Sequence, residues 1–386
     1  MDFSRFAPYL GIVAALALGI VVLDFSSTMS VVRPPAPGAR TASSTLAVLP
    51  SFTLPDISLP AISQVVEAVA TTAPIQKKKI ATSTSPVPVA PAAPVATSPA
   101  PESAPSASSG DSGLDAAATA LRGALVNIIC YVPFGSGLHS ISGSGIIIDA
   151  KGVILTNAHI AQYFLLADRG ASCTIRTGSP ATDRYKAALM YLPPAWISAN
   201  ASVITQAQPS GTGEYDFALL AITKSATAAS LPGAFSFVPL AVQPPGAGTP
   251  VVIASYGAQF LQSSQIQSAL SPTIVFGSVK AVFTFATRTI DVLALGGSAA
   301  AQEGSSGGGV ADASGSLVGT ITTSTVEGST DTRSLSAITA SYIRSEYANE
   351  TGEALDLLLA RDPATAAAGF ASRIPELESV LTAQLP

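Results

Sequence analysis

The chain has 386 residues and a formal net charge of −5, and only 11% of its side chains are charged, against about 25% in an ordinary soluble protein. With 19 Lys and Arg in all, it lacks a basic surface able to neutralise many phosphates, which excludes nucleic-acid binding. Two cysteines and two histidines are too few for a zinc ribbon or a multi-disulfide scaffold, so no metal and no cofactor is expected.

The first element in chain order is an apolar run. Eighteen residues from Phe6 to Leu23 carry no charge. As a helix they reach about 27 Å, near the roughly 30 Å hydrocarbon core of a bilayer. A cleaved signal peptide would have a shorter apolar region and an A-x-A site, whereas Asp24, Phe25 and two serines follow here. Residues 1–28 therefore read as a cytoplasmic tip and an uncleaved transmembrane signal-anchor. Arg5 and the terminal amine, offset in part by Asp2, point the amino terminus to the cytoplasm. Everything beyond is then extracytoplasmic, in a periplasm or at a cell surface.

Residues 29–113 read as a disordered Pro/Ala/Ser-rich linker. Fourteen of the 29 prolines fall between Pro34 and Pro105, and a stretch such as PVPVAPAAPVATSPAPESAPSASSG favours extended, partly polyproline conformations over a packed core.

After Leu114 the texture changes to short apolar and β-branched runs separated by Gly, Ser, Pro and Asp, which predicts an all-β barrel or sandwich. The runs include residues 126–132, 145–149, 152–157, 173–178, 216–222, 250–257, 273–285, 290–295 and 316–323. Asp149-Ala150-Lys151-Gly152 joins two of them with a glycine able to supply a positive φ, a hairpin signature. A break near residues 228–237 divides the region into two β units, 114–230 and 231–347, of about a hundred residues each. A site belongs in the cleft between them. Cys130 and Cys173, in the first and fourth predicted strands, can bridge neighbouring strands in an exported domain or remain a pair of buried thiols.

Three stretches hold the groups that acyl transfer requires: TNAHI with His159, EYDFALL with Asp216 and EGSSGGG with Ser306. A serine hydroxyl is a poor nucleophile at neutral pH. It needs an imidazole as general base and a buried carboxylate to set that ring's tautomer and orientation. Asp216 opens an apolar strand, where an unpaired carboxylate would be costly. Gly304, Gly307, Gly308 and Gly309 permit a tightly turned backbone that can aim the amides of Gly304 and Ser306 at one oxyanion.

These motifs carry a resemblance. SGSGIIIDAKGVILTNAHI (142–160), YDFALLAI (215–222) and GSSGGG (304–309) followed by SLVGTITT (316–323) resemble the trypsin-like serine peptidases of the chymotrypsin fold. The likeness is nearest to the bacterial high-temperature-requirement (Deg) group, without its PDZ domain, for which residues 348–386, read from the helical spacing of 354–362 and 373–385 as a C-terminal helical tail, are too few. It covers about residues 114–347 and implies two antiparallel β-barrels followed by a C-terminal helix, packed on the back of the second barrel. It also implies His159 as general base, Asp216 as its orienter, Ser306 as nucleophile and the Gly304 and Ser306 amides as oxyanion hole.

Departures from the family pattern shape the expectation. Ser305 stands where activated zymogens keep an Asp, so activation by a newly cut amino terminus is not expected. Gly309 replaces a common proline, which would loosen the loop. Ala300 stands where trypsins carry a specificity carboxylate, and with Thr322, Thr323 and Ser324 at the pocket edge it implies a small or medium apolar substrate side chain. The reading is a membrane-anchored serine endopeptidase acting on polypeptides. The alternative is a catalytically silent barrel pair serving as a binding or scaffold module.

Overall fold

The computed structural model describes residues 109–206, 211–285, 289–325 and 327–385, all within one compact unit, Ala96–Pro386. The apolar run 6–23 and the linker up to residue 108 lie outside the described residues. Among the described residues, no helix is long and apolar enough to cross a membrane.

The first element, α1 (Ser109–Ala124), is not announced by the β-rich texture that follows it. Its Ala117, Leu121 and Ala124 recur at helical spacing and are at most 1% exposed, so one apolar stripe is buried. The strands beneath it belong to both halves of the fold: β2 (Ile141–Asp149), and β7 (Pro250–Ser255) and β11 (Gly309–Asp312).

Strand β2 sits in a closed antiparallel barrel with β1 (Leu125–Tyr131), β3 (Val153–Thr156), β4 (Ser172–Thr177), β5 (Thr182–Tyr191) and β6 (Ala218–Ser225), in the order β1-β2-β3-β6-β5-β4. Its interior is Ile128, Ile146, Ile154, Leu155, Ile175 and Leu220, all fully buried. The β2–β3 hairpin turns as its sequence predicts. Gly152 takes φ +89°, its N–H donates to the Asp149 carbonyl at 2.9 Å, and the Lys151 N–H donates to Asp149 Oδ1 at 2.8 Å. Cys130 and Cys173 are directly opposite in the β1–β4 register and form a disulfide. Closing a loop with a sequence separation of 43 stabilises by about 4 kcal/mol in the chain-entropy account.

The second half departs from a closed barrel. It is one antiparallel sheet, β8-β7-β11-β12-β13-β10-β9, curved into a half-barrel. Here β8 is Thr273–Ser278, β9 Ala281–Phe283, β10 Val292–Ala294, β12 Leu317–Ser324 and β13 Leu335–Thr339. The run 273–285 looks continuous in sequence but breaks at Val279 and Lys280. Their N–H groups leave the ladder for the carbonyls of Thr249 and Ala294, at 3.0 and 2.7 Å. That break sends β8 and β9 to opposite edges, and they do not pair with each other. The closed barrel and the half-barrel make the two-barrel architecture of the chymotrypsin fold.

Shorter helices interrupt the strands: α2 (Ala158–Ala161), α3 (Pro194–Asn200) and α4 (Ser263–Ser268). The C-terminal part holds α5 (Ala340–Thr351), α6 (Leu355–Ala360), α7 (Pro363–Ala371) and α8 (Ile374–Thr382). Only α5 lies on the second sheet, against β12 and β13. Correcting the expectation that this tail backs the second barrel, α7 lies on β5 and β6 of the first, and α8 lies near α3. The reason is an aromatic patch on the first barrel: the Tyr191 ring is 4.8 Å from Tyr347 and 6.3 Å from Phe370. The Tyr191 hydroxyl donates to Glu350 Oε2 at 2.6 Å.

Candidate active site

Each predicted group reaches the site by a local backbone device. Strand β3 ends at Thr156, and the chain turns at Asn157 into α2, which carries His159. Asp216 lies just before β6 and is 5% exposed. The residue before it, Tyr215, has φ +56°, the left-handed region that a bulky side chain adopts only when its surroundings hold it there. The holding contacts are a Tyr215 N–H bond to the Tyr342 hydroxyl at 3.0 Å and a tight Phe217 N–H bond to the Tyr215 carbonyl at 2.8 Å.

His159 and Asp216 are joined twice. The ring Nδ1 lies 2.8 Å from Asp216 Oδ2, and the His159 backbone N–H donates to Oδ1 at 3.0 Å. The Asn157 side-chain amide donates to the Asp216 carbonyl at 2.8 Å, tying the two segments again. Thr322 of β12 completes the carboxylate's surroundings, its hydroxyl donating to Oδ2 at 2.7 Å. Burial by itself would raise the Asp216 carboxyl. The His159 charge, the two bonds from His159 and the Thr322 hydroxyl outweigh it and hold the group below its ordinary value. With Nδ1–H facing a carboxylate, the other ring nitrogen is left as an acceptor.

Ser306 lies on the loop entering β11. Its hydroxyl makes no hydrogen bond to His159 or to another described residue. Its neighbours are nevertheless seated on the strands that deliver the imidazole. The Ser306 carbonyl accepts from the Ser144 N–H at 2.8 Å. Gly307, at φ +84°, is pressed against the Ser144 carbonyl and the Thr156 hydroxyl so closely that a Cβ has no room. Ser144 is the clamp between the halves: its hydroxyl donates to the Gly304 carbonyl at 2.8 Å and accepts from the Tyr256 N–H at 2.8 Å.

Several other backbone groups of the loop are engaged. The N–H groups of Ser305, Gly307 and Gly308 donate to the carbonyls of Gln302, Ile321 and Ser305 at 3.2, 2.9 and 2.9 Å, and the Glu303 carbonyl accepts from Ala258 N–H at 2.8 Å. The amides of Gly304 and Ser306 have no acceptor among the described residues. Two unsatisfied amides flanking a serine suit a developing oxyanion.

Ser144, Asn157 and the Thr322 role were missed by sequence reasoning. Nothing local marks them, because each acts across a long stretch of chain. Thr322, expected at a pocket edge, directs its hydroxyl to Asp216. Thr323 and Ser324 lie in β12 opposite Ser336 and Leu335 of β13. Ala300 is fully buried in the core of the second sheet. Gly309 does not loosen the loop: it opens β11, paired with Ala254 and Thr320, and a Cβ there would fall 2.7 Å from Ile146 Cγ1. Among the described residues, no group of three His, Cys, Asp or Glu is placed to hold a metal.

Residues 143–319 match the family model described as a trypsin-like peptidase domain. That stretch is similar to the trypsin-like serine peptidases. The matched span includes His159, Asp216 and Ser306, and the general activity of the domain is that of a serine endopeptidase. Among solved structures, the active form of the Rv3671c protease from M. tuberculosis is 18% identical, with 61% of this chain and 84% of that chain covered and a TM-score of 0.39. The inactive form of the same protease is 17% identical over 61% of this chain and 93% of that chain, with a TM-score of 0.39. A comparison with curated proteins finds no match.

Proposed function

We propose that this serine endopeptidase works through a triad of Ser306, His159 and Asp216, with the Gly304 and Ser306 amides as its oxyanion hole. The observation that carries the reading is the double hydrogen bond between His159 and the buried Asp216 carboxylate. Asp216 fixes the ring so that Nε2 takes the Ser306 proton as Oγ attacks the scissile carbonyl. The tetrahedral oxyanion forms against the two amides, each such donor contributing about 3–4 kcal/mol when judged by deletion. His159 then passes the proton to the leaving amine, and water hydrolyses the acyl-enzyme with the same base. A serine and base separated in the free enzyme are compatible with this, since catalytic hydrogen bonds tighten when substrate binds.

The domain is further proposed to stand outside the cytoplasm, tethered by the apolar run 6–23 and spaced from the bilayer by the Pro-rich linker. The Cys130–Cys173 disulfide supports an oxidising compartment. Its partners are then polypeptides on that side of the membrane.

Fluorophosphonate labelling of the full chain tests the chemistry. Stoichiometric labelling that is lost in Ser306→Ala is the expected result. An unlabelled but folded chain would return the silent binding module instead. Alkaline extraction of membranes tests the anchor: the protein stays with the lipid, and a variant lacking residues 6–23 does not.

A further inference from the structure

Arg333 lies between β12 and β13 and is 6% exposed. A buried guanidinium is ordinarily matched by a carboxylate, because leaving its charge unpaired is expensive. Arg333 has no carboxylate partner among the described residues. Its Nε and Nη2 donate to the Gly328 carbonyl at 3.1 and 2.9 Å. Its Nη1 donates to Gln259 Oε1 at 2.6 Å and to the Ala301 carbonyl at 2.8 Å. All of these acceptors are neutral, and the guanidinium carbon also lies over the exposed Phe260 ring, 5.8 Å from its centroid. A guanidinium has five N–H donors, and one on Nη2 is left over.

The position of this cation relative to Ser306 is set by its partners. Ala301 is on the loop that leads into Ser306. Gly328 is on the continuation of β12, the strand whose Ile321 carbonyl accepts the Gly307 N–H at 2.9 Å and whose Ile321 N–H donates to the Gly308 carbonyl at 2.7 Å. The two segments therefore flank the nucleophile loop, and Arg333 ties them together at their far end. The side chains contributed there by Ala300 and Ala301 are methyl groups in the core, both fully buried, with nothing to neutralise a charge. A substrate side chain entering between the segments beside Ser306 would approach a cation that has no anionic partner among the described residues.

We propose that Arg333 selects substrates with an acidic residue on the acyl side of the scissile bond, a refinement that rests on Ser306 being the nucleophile. The carboxylate of a bound Glu or Asp supplies the missing counter-charge and accepts the unused Nη2 hydrogen. This replaces the small or medium apolar preference expected from Ala300 and its neighbours.

The experiment compares kcat/KM of the full chain on matched fluorogenic peptides that differ only in Glu against Gln, and Asp against Asn, before the cleaved bond. The acidic member is expected to be favoured by about tenfold or more at pH 7, because a site built for a charged hydrogen-bonding group rejects its neutral isostere. In Arg333→Gln the ratio falls to about one. A wild-type ratio at or below one overturns the assignment, as does a ratio unchanged in the variant. Should the variant fail to fold, the wild-type ratio at pH 7 decides by itself, and a ratio at or below one overturns the assignment. Fluorophosphonate labelling run in parallel separates the two failures. A labelled enzyme with no acidic preference loses only the role of Arg333, whereas an unlabelled chain loses the peptidase mechanism and this inference with it.

Discussion

The two halves of the peptidase domain are built to different rules. The first is a closed barrel with a disulfide between adjacent strands, and it supplies the imidazole and the carboxylate. The second is an open sheet with edges at β8 and β9, and it supplies the serine on a loop rich in glycine. An acid–base pair needs side chains held in one orientation, which a closed ladder and a dry interior provide. An oxyanion site needs a tightly turned backbone that leaves amides free to donate, which glycines permit. Gly307 pressed against Ser144 is such a tight turn, and the doubly bonded Asp216 is such a fixed side chain.

The comparison can be broken most severely at the carboxylate. Asp216→Asn should leave the fold intact and lower kcat by about 10⁴, because an amide in that place favours the wrong imidazole tautomer. Steady-state kinetics on any cleaved peptide, with circular dichroism as the control for folding, measures this. A fall of less than tenfold would remove Asp216 from the mechanism.

A smaller effect, confined to the first half, is expected from the disulfide. Replacing Cys130 and Cys173 together by Ala should cost about 2–5 kcal/mol of stability, read from denaturant unfolding under oxidising conditions. The kcat at 25 °C should change little, since neither sulfur touches the site. Equal losses of kcat and stability would mean that the barrel wall and the site are less independent than the two-rule picture holds.

Thr322 sharpens the comparison because it crosses from the second half to the first. Thr322→Val removes a hydroxyl donor from a charged acceptor and should cost about 1.5–3 kcal/mol. The pH dependence gives the sign. The folded Asp216 carboxyl lies below its ordinary value, so its contribution to stability is complete above the unfolded value near pH 4 and is lost as pH falls through the folded one. Without the Thr322 donor the folded value rises, and the loss begins at higher pH. Urea unfolding between pH 6 and 2 for both proteins tests this, and superimposable pH profiles would refute it.

Much of this arrangement was legible along the chain wherever a few neighbouring residues settle the matter. The hairpin at 149–152 depends on one Asp and one Gly, and the exchange of short β runs for turns marks the two β units. Elements that depend on distant partners were not legible. Helix α1 is stabilised by strands of both halves, so its Ala-rich sequence carries no sign of where it docks. The run 273–285 shows one β pattern because the carbonyls that break it belong to Thr249 and Ala294. The tail's helical spacing predicted helices, but the choice of barrel was made by Tyr191, far from it in sequence.

The order of β runs, the presence of an imidazole, a carboxylate and a glycine-flanked serine, and the apolar amino-terminal run are all properties of the sequence, because periodicity and side-chain chemistry are local. The tertiary structure alone decided that Ser144 clamps the serine loop, that Thr322 serves the carboxylate and that Arg333 is buried without an anion among the described residues. Each of these is a hydrogen-bond assignment between segments separated by long stretches of chain, and such assignments exist only once the strands have been brought into register.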